Sequence, residues 1–260
     1  MVTVPRPYGA GPYRAGPGAG SVLGKTRLIL EAFLVDDDLS LTELSRRTGI
    51  AKASVHRLAQ ELVDWGMLER SATGYRLGMR AFELGSRVPR FRVLRDALRP
   101  YMERLHFDWK ESVHLAVLDG LEVLYLEKIA PGPRSARPSR IAGRMPLHCT
   151  ATGKILLAFS PPDLFEEAVA RPLERVTPST IVLPPILREQ LGKARETGYA
   201  TETEETAIGY CSAAVPLFGA SGLLLGALSI TAPTFRAHTT QYVAALTAVS
   251  RRVAATGQIN

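Results

Sequence analysis

The sequence predicts an α+β protein with an N-terminal winged helix-turn-helix domain, a linker helix and a C-terminal domain around an antiparallel sheet. Three observations support this. At 260 residues the chain exceeds one typical domain of about 100 to 200 residues. Its first third alternates short helical patterns with glycine turns, and its second part has strand patterns on either side of a run of helices. We divide it into a disordered tail (1–20), the winged helix-turn-helix domain (21–78), the linker helix (79–92) and the second domain (93–260).

The composition excludes several classes of protein. Hydrophobic residues make up 46% and charged residues 22%, which is typical of globular proteins. No apolar run approaches the roughly 18 residues of a membrane span. Two cysteines cannot build a dense disulfide framework, and the first residues lack an apolar stretch of signal-peptide length. We therefore expect a cytoplasmic protein with reduced thiols and no membrane partner.

The positive charge lies towards the N-terminus. The net charge is +7, whereas residues 146–260 carry nine cations and nine acids. A basic region of this kind favours a polyanionic partner. The first twenty residues hold five glycines and four prolines without apolar periodicity, which predicts disorder.

Three helices are predicted after this tail. The first begins at Ser21 and ends at the acidic run 36–38, and Ser40 with Glu43 has the capping-box spacing for a second helix that Gly49 ends. The third spans about 52–65. The side chains expected to pack on one face of the first helix are Leu23, Leu28, Ile29, Ala32 and Phe33; those of the third are Val55, Leu58, Leu62 and Trp65.

Two helices joined by a short glycine turn, the second with cations on its free face, predict a helix-turn-helix whose second helix enters a major groove about 12 Å wide. The apolar and polar alternation over 67–77, around a Gly74 turn, predicts a hairpin that acts as a wing. The alternative is a small helical core and hairpin with solvated arginines. The predicted DNA-binding residues are Thr42, Lys52, Ala53, Ser54, His56, Arg57, Arg70 and Arg76.

A helical pattern continues over 79–110 with a break near Pro89. Its apolar stripe, larger than one helix needs, predicts contact with a second chain, while its arginines can equally form a solvated face. The stripe consists of Phe82, Phe91, Leu94 and Leu98.

The second domain is predicted to hold four strands and four further helices. An Asp119-Gly120 turn joins the first two strands, and a glycine-containing turn over 219–222 joins the last two. The strands are predicted at 113–118, 123–129, 211–217 and 223–231, and the helices at 150–159, 162–170, 187–197 and 238–255.

Residues 21–260 resemble the IclR family of bacterial transcriptional regulators. The resemblance is carried by LSLTELSRRTGIAKASVHRLAQELVDWGMLER with GYRLG, by PLHCTATGKILLA at 146–158, and by GYCSAAVPLFGASGLLLGALSITAP at 209–233. It implies a GAF-like effector-binding domain, a homodimer or dimer of dimers on operator DNA, and a small organic or aromatic acid as effector. The positions that match the family's ligand site are Ala151, Thr152, Thr201, Tyr210, Cys211, Ser229 and Thr231. Thr201 stands where the family can have an acidic residue, and Thr152 where a small apolar residue is common.

A helix beginning near Thr150 would offer unsatisfied N–H groups to a carboxylate. The hydroxyls of Thr152, Ser229 and Thr231 could converge on that anion, between apolar walls from Leu147, Val215 and Leu228. Several alternatives stay open: Ser229 and Thr231 on an exposed strand face, Cys211 as a buried hydrophobe, and Glu202, Glu204 and Glu205 in a solvated loop.

Two other functions compete with a ligand-controlled regulator. One is DNA binding without ligand control. The other is an enzyme using His148, Cys149 and Cys211 as nucleophile and base or as metal ligands, but no CxxC or HxxxH spacing occurs. The single histidines His106, His114 and His238 are expected to be surface or capping residues. We therefore predict no catalysis, metal or cofactor.

Overall fold

The computed structural model describes residues 20–132 and 139–256, which form two compact units divided between Arg92 and Val93. The predicted tail, apart from Gly20, lies outside the described residues. In the described part of the chain, no helix has both the length and the apolar character needed to cross a membrane.

From residue 20 onwards, the first unit contains three helices, a hairpin and a fourth helix. A short 3₁₀ turn, Ala32–Leu34, extends the first helix. The elements are α1 (Val22–Glu31), α2 (Leu41–Thr48), α3 (Lys52–Asp64), β1 (Leu68–Arg70), β2 (Tyr75–Leu77) and α4 (Met79–Gly85).

Helix α2 begins and ends at the residues that the sequence predicts. The Ser40 backbone N–H donates to Glu43 Oε2 at 2.9 Å, and the Glu43 backbone N–H donates to Ser40 Oγ at 3.3 Å, which completes the capping box. Gly49 ends α2 with φ +69°, a left-handed conformation that costs glycine little. Both helices of the predicted helix-turn-helix are therefore present.

The wing is more closely tied to the helices than a free hairpin would be. Leu68 pairs with Leu77 across β1 and β2, and Leu39 adds an antiparallel bridge to Tyr75. At Gly74 the chains approach so closely that a Cβ atom would lie 2.3 Å from the Leu39 carbonyl oxygen. Only glycine fits at this position of the turn.

The core of the first unit is apolar and includes most of the predicted residues. Two expectations were wrong. Leu23 is 80% exposed, because it lies in the first turn of α1, and Trp65 is exposed because α3 has already ended when the chain reaches it. The buried cluster is Leu28, Ile29, Ala32, Phe33, Leu39, Leu44, Ile50, Val55, Leu58, Ala59, Leu62, Leu68 and Tyr75.

The second unit is built on an antiparallel sheet with the order β5-β4-β3-β8-β7-β6. The fold class of α+β is thus confirmed. Two edge strands, β5 and β6, were not predicted, because three or four residues show too little alternation to be recognised. The strands are β3 (Ser112–Asp119), β4 (Glu122–Ile129), β5 (Arg144–Pro146), β6 (Ala200–Thr203), β7 (Tyr210–Phe218) and β8 (Leu224–Pro233).

Among the described residues, five α-helices accompany this sheet: α5 (Pro89–Trp109), α6 (Ala151–Ala158), α7 (Pro162–Val169), α8 (Pro184–Thr197) and α9 (Thr239–Thr256). Helix α6 packs on β6, β7 and β8, and α9 packs on β7 and β8. One prediction for α5 was wrong. Leu94 and Leu98, assigned to a contact between chains, are buried within a single chain.

Candidate DNA-binding face and buried polar cavity

The face of α3 that points away from the core carries the predicted residues. Lys52, Ala53, His56 and Arg57 are exposed and Ser54 is half-buried, while Thr42 is exposed on α2. The N-cap residue of α3, Ala51, supplies no side-chain acceptor. The first backbone N–H groups of α3 therefore have no side-chain cap and can donate to an anion such as phosphate.

The arginines near this face have partners on the protein surface. Arg57 pairs with Glu61 at 2.7 Å, and Arg76 pairs with Glu69 across the hairpin. Arg70 donates to Gln60 at 2.8 Å. Exposed pairs contribute only about 0 to 1 kcal/mol to stability, so a phosphate can replace the carboxylate at little cost.

The second unit contains a polar cavity between α6 and the sheet. Hydroxyl groups dominate its wall, and the wall includes one carboxyl and one imidazole. The lining residues are His114, Tyr125, Ser139, Met145, Thr150, Ala151, Thr152, Glu202, Thr206, Ala207, Tyr210, Ser212, Ser229 and Thr231.

Strand register brings these polar groups together. Glu202 lies opposite Ser212, and Ser212 lies opposite Thr231, so three neighbouring strands place one row of polar side chains on the same face. A second row runs beside it, in which Ser229 lies opposite His114. Side chains two positions apart on a strand share a face, which is why Ser229 and Thr231 both belong to the wall. The alternative of an exposed strand face for Ser229 is wrong.

Glu202 is buried at the edge of this arrangement. Its Oε1 accepts from the Ser212 hydroxyl at 2.7 Å and its Oε2 accepts from the Glu205 backbone N–H at 3.0 Å. Ser212 Oγ is also 2.9 Å from Thr231 Oγ1. Burial raises the pKa of Glu202 to about 7 despite these hydrogen bonds. The alternative of a solvated loop is therefore wrong for Glu202.

His114 is buried too, contrary to the expectation of a surface residue. One ring nitrogen, Nε2, lies 2.8 Å from Ser139 Oγ, and the ring packs against Tyr125 with centroids 5.2 Å apart. The other nitrogen, Nδ1, has no hydrogen-bond partner among the described residues. Burial and the charge of Lys128 lower the pKa of His114 to about 3, so the ring is neutral at physiological pH.

The start of α6 is capped differently from the prediction. The hydroxyl of Thr150 accepts from the Gly153 backbone N–H at 3.0 Å and donates to the Pro146 carbonyl at 2.9 Å. One of the N–H groups expected for a ligand is therefore already satisfied. Ala151 and Thr152 in the first turn of α6 both line the cavity, and Thr152 Oγ1 is 3.4 Å from the Tyr125 hydroxyl.

A buried ion pair lies beside the cavity. Lys154, on α6, pairs with Glu205, which follows β6, and its Nζ also lies 3.4 Å from the Thr201 carbonyl. Neither charged side chain lines the cavity. Because the ammonium group is already paired, the charge of Lys154 is compensated before any ligand arrives.

Five of the seven predicted ligand-site residues line the cavity: Ala151, Thr152, Tyr210, Ser229 and Thr231. Thr201 and Cys211 do not, because the neighbours Glu202 and Ser212 occupy the wall instead. The predicted apolar walls, Leu147, Val215 and Leu228, do not line it either. Sequence reasoning missed the roles of Glu202, Ser212 and His114 in this wall. The alternation of side chains along β6 and β7 could have identified Ser212 and Glu202 once β6 was recognised.

The three residues considered for catalysis are all buried. Cys149 and Cys211 are buried free cysteines, and burial raises the pKa of both thiols. His148 Nε2 donates to the Glu174 carbonyl at 2.9 Å. Within 20–132 and 139–256 no group of three or more metal-ligating side chains is placed to hold an ion.

A winged helix-turn-helix unit with a cationic helix face, followed by an α+β unit with an internal cavity, defines the class of DNA-binding transcriptional regulators with a separate second domain. Two family models match the chain: the IclR helix-turn-helix domain over residues 22–72 and the bacterial transcriptional regulator IclR C-terminal domain over residues 90–255. The chain belongs to the IclR family of bacterial transcriptional regulators.

Known proteins of this family are similar along most of the chain. The transcriptional regulator KdgR of Escherichia coli is 33% identical over 249 residues, covering 92% of this chain and 93% of that protein. An IclR homologue from Microbacterium hydrocarbonoxydans, crystallised as a complex with 4-hydroxybenzoate, is 32% identical with a TM-score of 0.85, covering 92% of this chain and 100% of that one. The IclR structure from Thermotoga maritima is 27% identical with a TM-score of 0.72, covering 91% and 98%.

Proposed function

We propose that this IclR-type regulator binds a double-stranded operator through α3 and the wing, and that a small organic or aromatic acid in the cavity changes its affinity for DNA. The observation that carries the proposal is the pairing of an exposed cationic helix face with a buried polar cavity in a separate unit. The competing function is DNA binding without ligand control. The two functions differ in whether a ligand bound in the cavity changes the affinity for DNA.

On the DNA side, Lys52, Ala53, Ser54, His56 and Arg57 face base edges and phosphates. On either side of α3, the phosphate backbone of the DNA is contacted by Thr42, Arg70 and Arg76. The uncapped first turn of α3 supports this assignment, because backbone N–H groups at a helix start are donors to phosphate.

Arg57→Ala and Arg76→Ala test these two roles. If Arg57 contacts a base, its loss costs about 1 to 3 kcal/mol on the operator and much less on random DNA. Loss of Arg76 weakens binding to both DNAs alike and reduces the slope of log affinity against log salt by about one. Fluorescence anisotropy over a salt series measures both. Equal losses on operator and random DNA for Arg57→Ala would remove it from the base-contacting set.

The effector proposal rests on the cavity and on a relative. The homologue from Microbacterium hydrocarbonoxydans was crystallised with an aromatic acid, and the cavity here has the hydroxyl groups of Thr152, Ser229 and Thr231 in its wall. Hydroxyl groups on one cavity wall can donate hydrogen bonds to a carboxylate, which supports a small polar ligand at this site.

A thermal-shift screen of organic and aromatic acids, followed by operator gel shifts with each hit, tests effector control. Linkage requires that operator DNA change the affinity for the acid by the same factor as the acid changes the affinity for DNA, about 5 to 150-fold. Thr152→Val and Ser229→Ala should weaken binding of each hit, whereas Thr197→Val, on an exposed helix end, should not. If the affinity of a hit is the same for both cavity variants as for the wild type, the acid binds outside this cavity.

We also propose that 79–92 joins two chains and that 93–260 is the effector-binding domain of a homodimer or dimer of dimers. Exposed apolar side chains on and after α4 support the first part: Met79, Phe82, Leu84 and Val88. Light scattering should give a dimer or tetramer, and Phe82→Glu should dissociate it. A monomer at micromolar concentration would contradict the proposal.

A further inference from the structure

The cavity has an unusual charge balance for a site that takes an acid. Its wall contains the carboxyl of Glu202, and none of the residues that line it is lysine or arginine. Two ammonium groups near the cavity are already engaged: that of Lys154 is paired with Glu205, and that of Lys128 donates to the Ser139 carbonyl at 2.8 Å. A ligand carboxylate placed beside Glu202 would therefore meet an acid without a compensating cation.

The two ends of the cavity differ in what they offer. The first turn of α6 presents Ala151 and Thr152, with the positive end of the helix dipole. The sheet presents Glu202, Ser212 and the ring of His114. A carboxylate is therefore stabilised at the start of α6, and the sheet side needs a ligand group that donates hydrogen bonds.

His114 marks the position of that group. Its ring is only 2% exposed, and one nitrogen is held by Ser139 while Nδ1 has no partner in the described chain. Buried polar groups in proteins are nearly always hydrogen-bonded, and His114 belongs to the cavity wall, so its unpartnered nitrogen is available to a ligand. The second nitrogen is a donor or an acceptor depending on which tautomer the bond to Ser139 selects.

A hydroxyl group suits this wall better than other small polar groups. In the tautomer whose Nδ1 carries hydrogen, a hydroxyl accepts from His114 and can donate to the Glu202 carboxyl; in the other tautomer it donates to the His114 nitrogen. A methyl group in its place would leave the imidazole unpaired, and a second carboxylate would face Glu202.

We infer that the cavity selects a hydroxylated acid, with the carboxylate of the effector at the start of α6 and its hydroxyl on His114, which makes His114 a specificity-determining residue. This inference rests on the proposed effector binding. The neutral state of the buried imidazole is in keeping with it, because a neutral ring neither attracts nor repels the carboxylate.

Matched pairs of acids test the inference by isothermal titration calorimetry on the full chain. The pairs are 4-hydroxybenzoate with benzoate and 3-hydroxybutyrate with butyrate. In the wild type we expect one hydroxylated acid to bind at least about 100-fold more tightly than its partner, because a site built around a hydroxyl strongly rejects an analogue that lacks it. In His114→Leu that preference should fall below about tenfold. His106→Leu, a histidine outside the cavity, should keep it.

Nitrogen-15 NMR of histidine-labelled wild-type protein gives a second measurement that needs no variant at His114. The Nδ1 resonance should shift with the hydroxylated acid and not with its partner. Equal affinities within both pairs, or an unchanged preference in His114→Leu, would overturn the inference while leaving effector binding intact. If none of the acids in the wider screen binds, the proposed function itself fails.

Discussion

One ion pair from each unit shows how differently the molecule holds charge. In the first, the Arg57 and Glu61 side chains are 61% and 59% exposed, and in the second those of Lys154 and Glu205 are 1% and 6% exposed. Exposed pairs contribute about 0 to 1 kcal/mol, whereas removing one partner of a buried pair leaves an uncompensated charge. The first unit can therefore exchange a carboxylate for a phosphate, and the second unit must keep its pair.

The largest expected effect comes from breaking the buried pair. Lys154→Met should lower the free energy of unfolding by about 3 to 5 kcal/mol, because it leaves the buried Glu205 carboxyl without its partner. Lys193→Met removes an exposed pair with Glu189 and should change it by less than about 1 kcal/mol. Urea unfolding at pH 7 compares them. Similar losses would mean that burial does not distinguish the two pairs.

Glu202 should make the second unit sensitive to pH. Its pKa is raised from 4.5 to about 7 in the folded state, so the folded protein holds a proton that the unfolded chain releases. Stability should fall as pH rises from about 4.5 to about 7, by about 3 kcal/mol from this group. Glu202→Gln should flatten that part of the profile, and Glu204→Gln should not. A Glu202→Gln profile parallel to the wild type would contradict the raised pKa.

The first unit is tolerant in its surface charges but not in its backbone. Gly74→Ala would place a methyl group on the Leu39 carbonyl and should cost about 2 kcal/mol or more by separating the wing from the strand residue beside it. Gly49→Ala meets open space and carries only the strain of positive φ, about 1 kcal/mol. Thermal unfolding ranks the two. A smaller loss of stability for Gly74→Ala than for Gly49→Ala would show that the turn can shift away from the Leu39 carbonyl.

The smallest effect on stability is expected for Arg57→Ala. The exposed pair with Glu61 should contribute less than about 0.5 kcal/mol to folding. The same variant should still lose affinity for operator DNA, so folding and binding separate at this residue. A stability loss above about 1 kcal/mol would place Arg57 among the structural residues of the first unit.

The helices of the first unit could be predicted from the sequence because local signals determine where they begin and end. Ser40 with Glu43 defines a helix start and Gly49 a helix end without help from the rest of the chain. Leu23 shows the limit, since periodicity gives the face of a helix but not how far the core extends along it.

The cavity was less predictable because its wall comes from strands far apart in sequence. Ser229 and Thr231 could be placed from alternation along one strand, but His114 joins them only through the pairing of β3 with β8. Glu202 lies on a four-residue edge strand in an acidic run, a pattern that is usually a solvated loop. Burial of these polar groups is a property of the assembled sheet.

The acidic segment after β6 has no regular secondary structure at Glu204 and Glu205, yet its backbone is held at several points. The hydroxyls of Thr177 and Thr180 donate to the carbonyls of Glu204 and Glu205 at 2.6 and 2.8 Å, and the Glu205 N–H donates to Glu202. Amide hydrogens exchange with solvent only when such bonds open. The Glu205 amide should therefore exchange as slowly as those of the central strands. Thr180→Val should speed its exchange, although the two residues are 25 positions apart in the sequence.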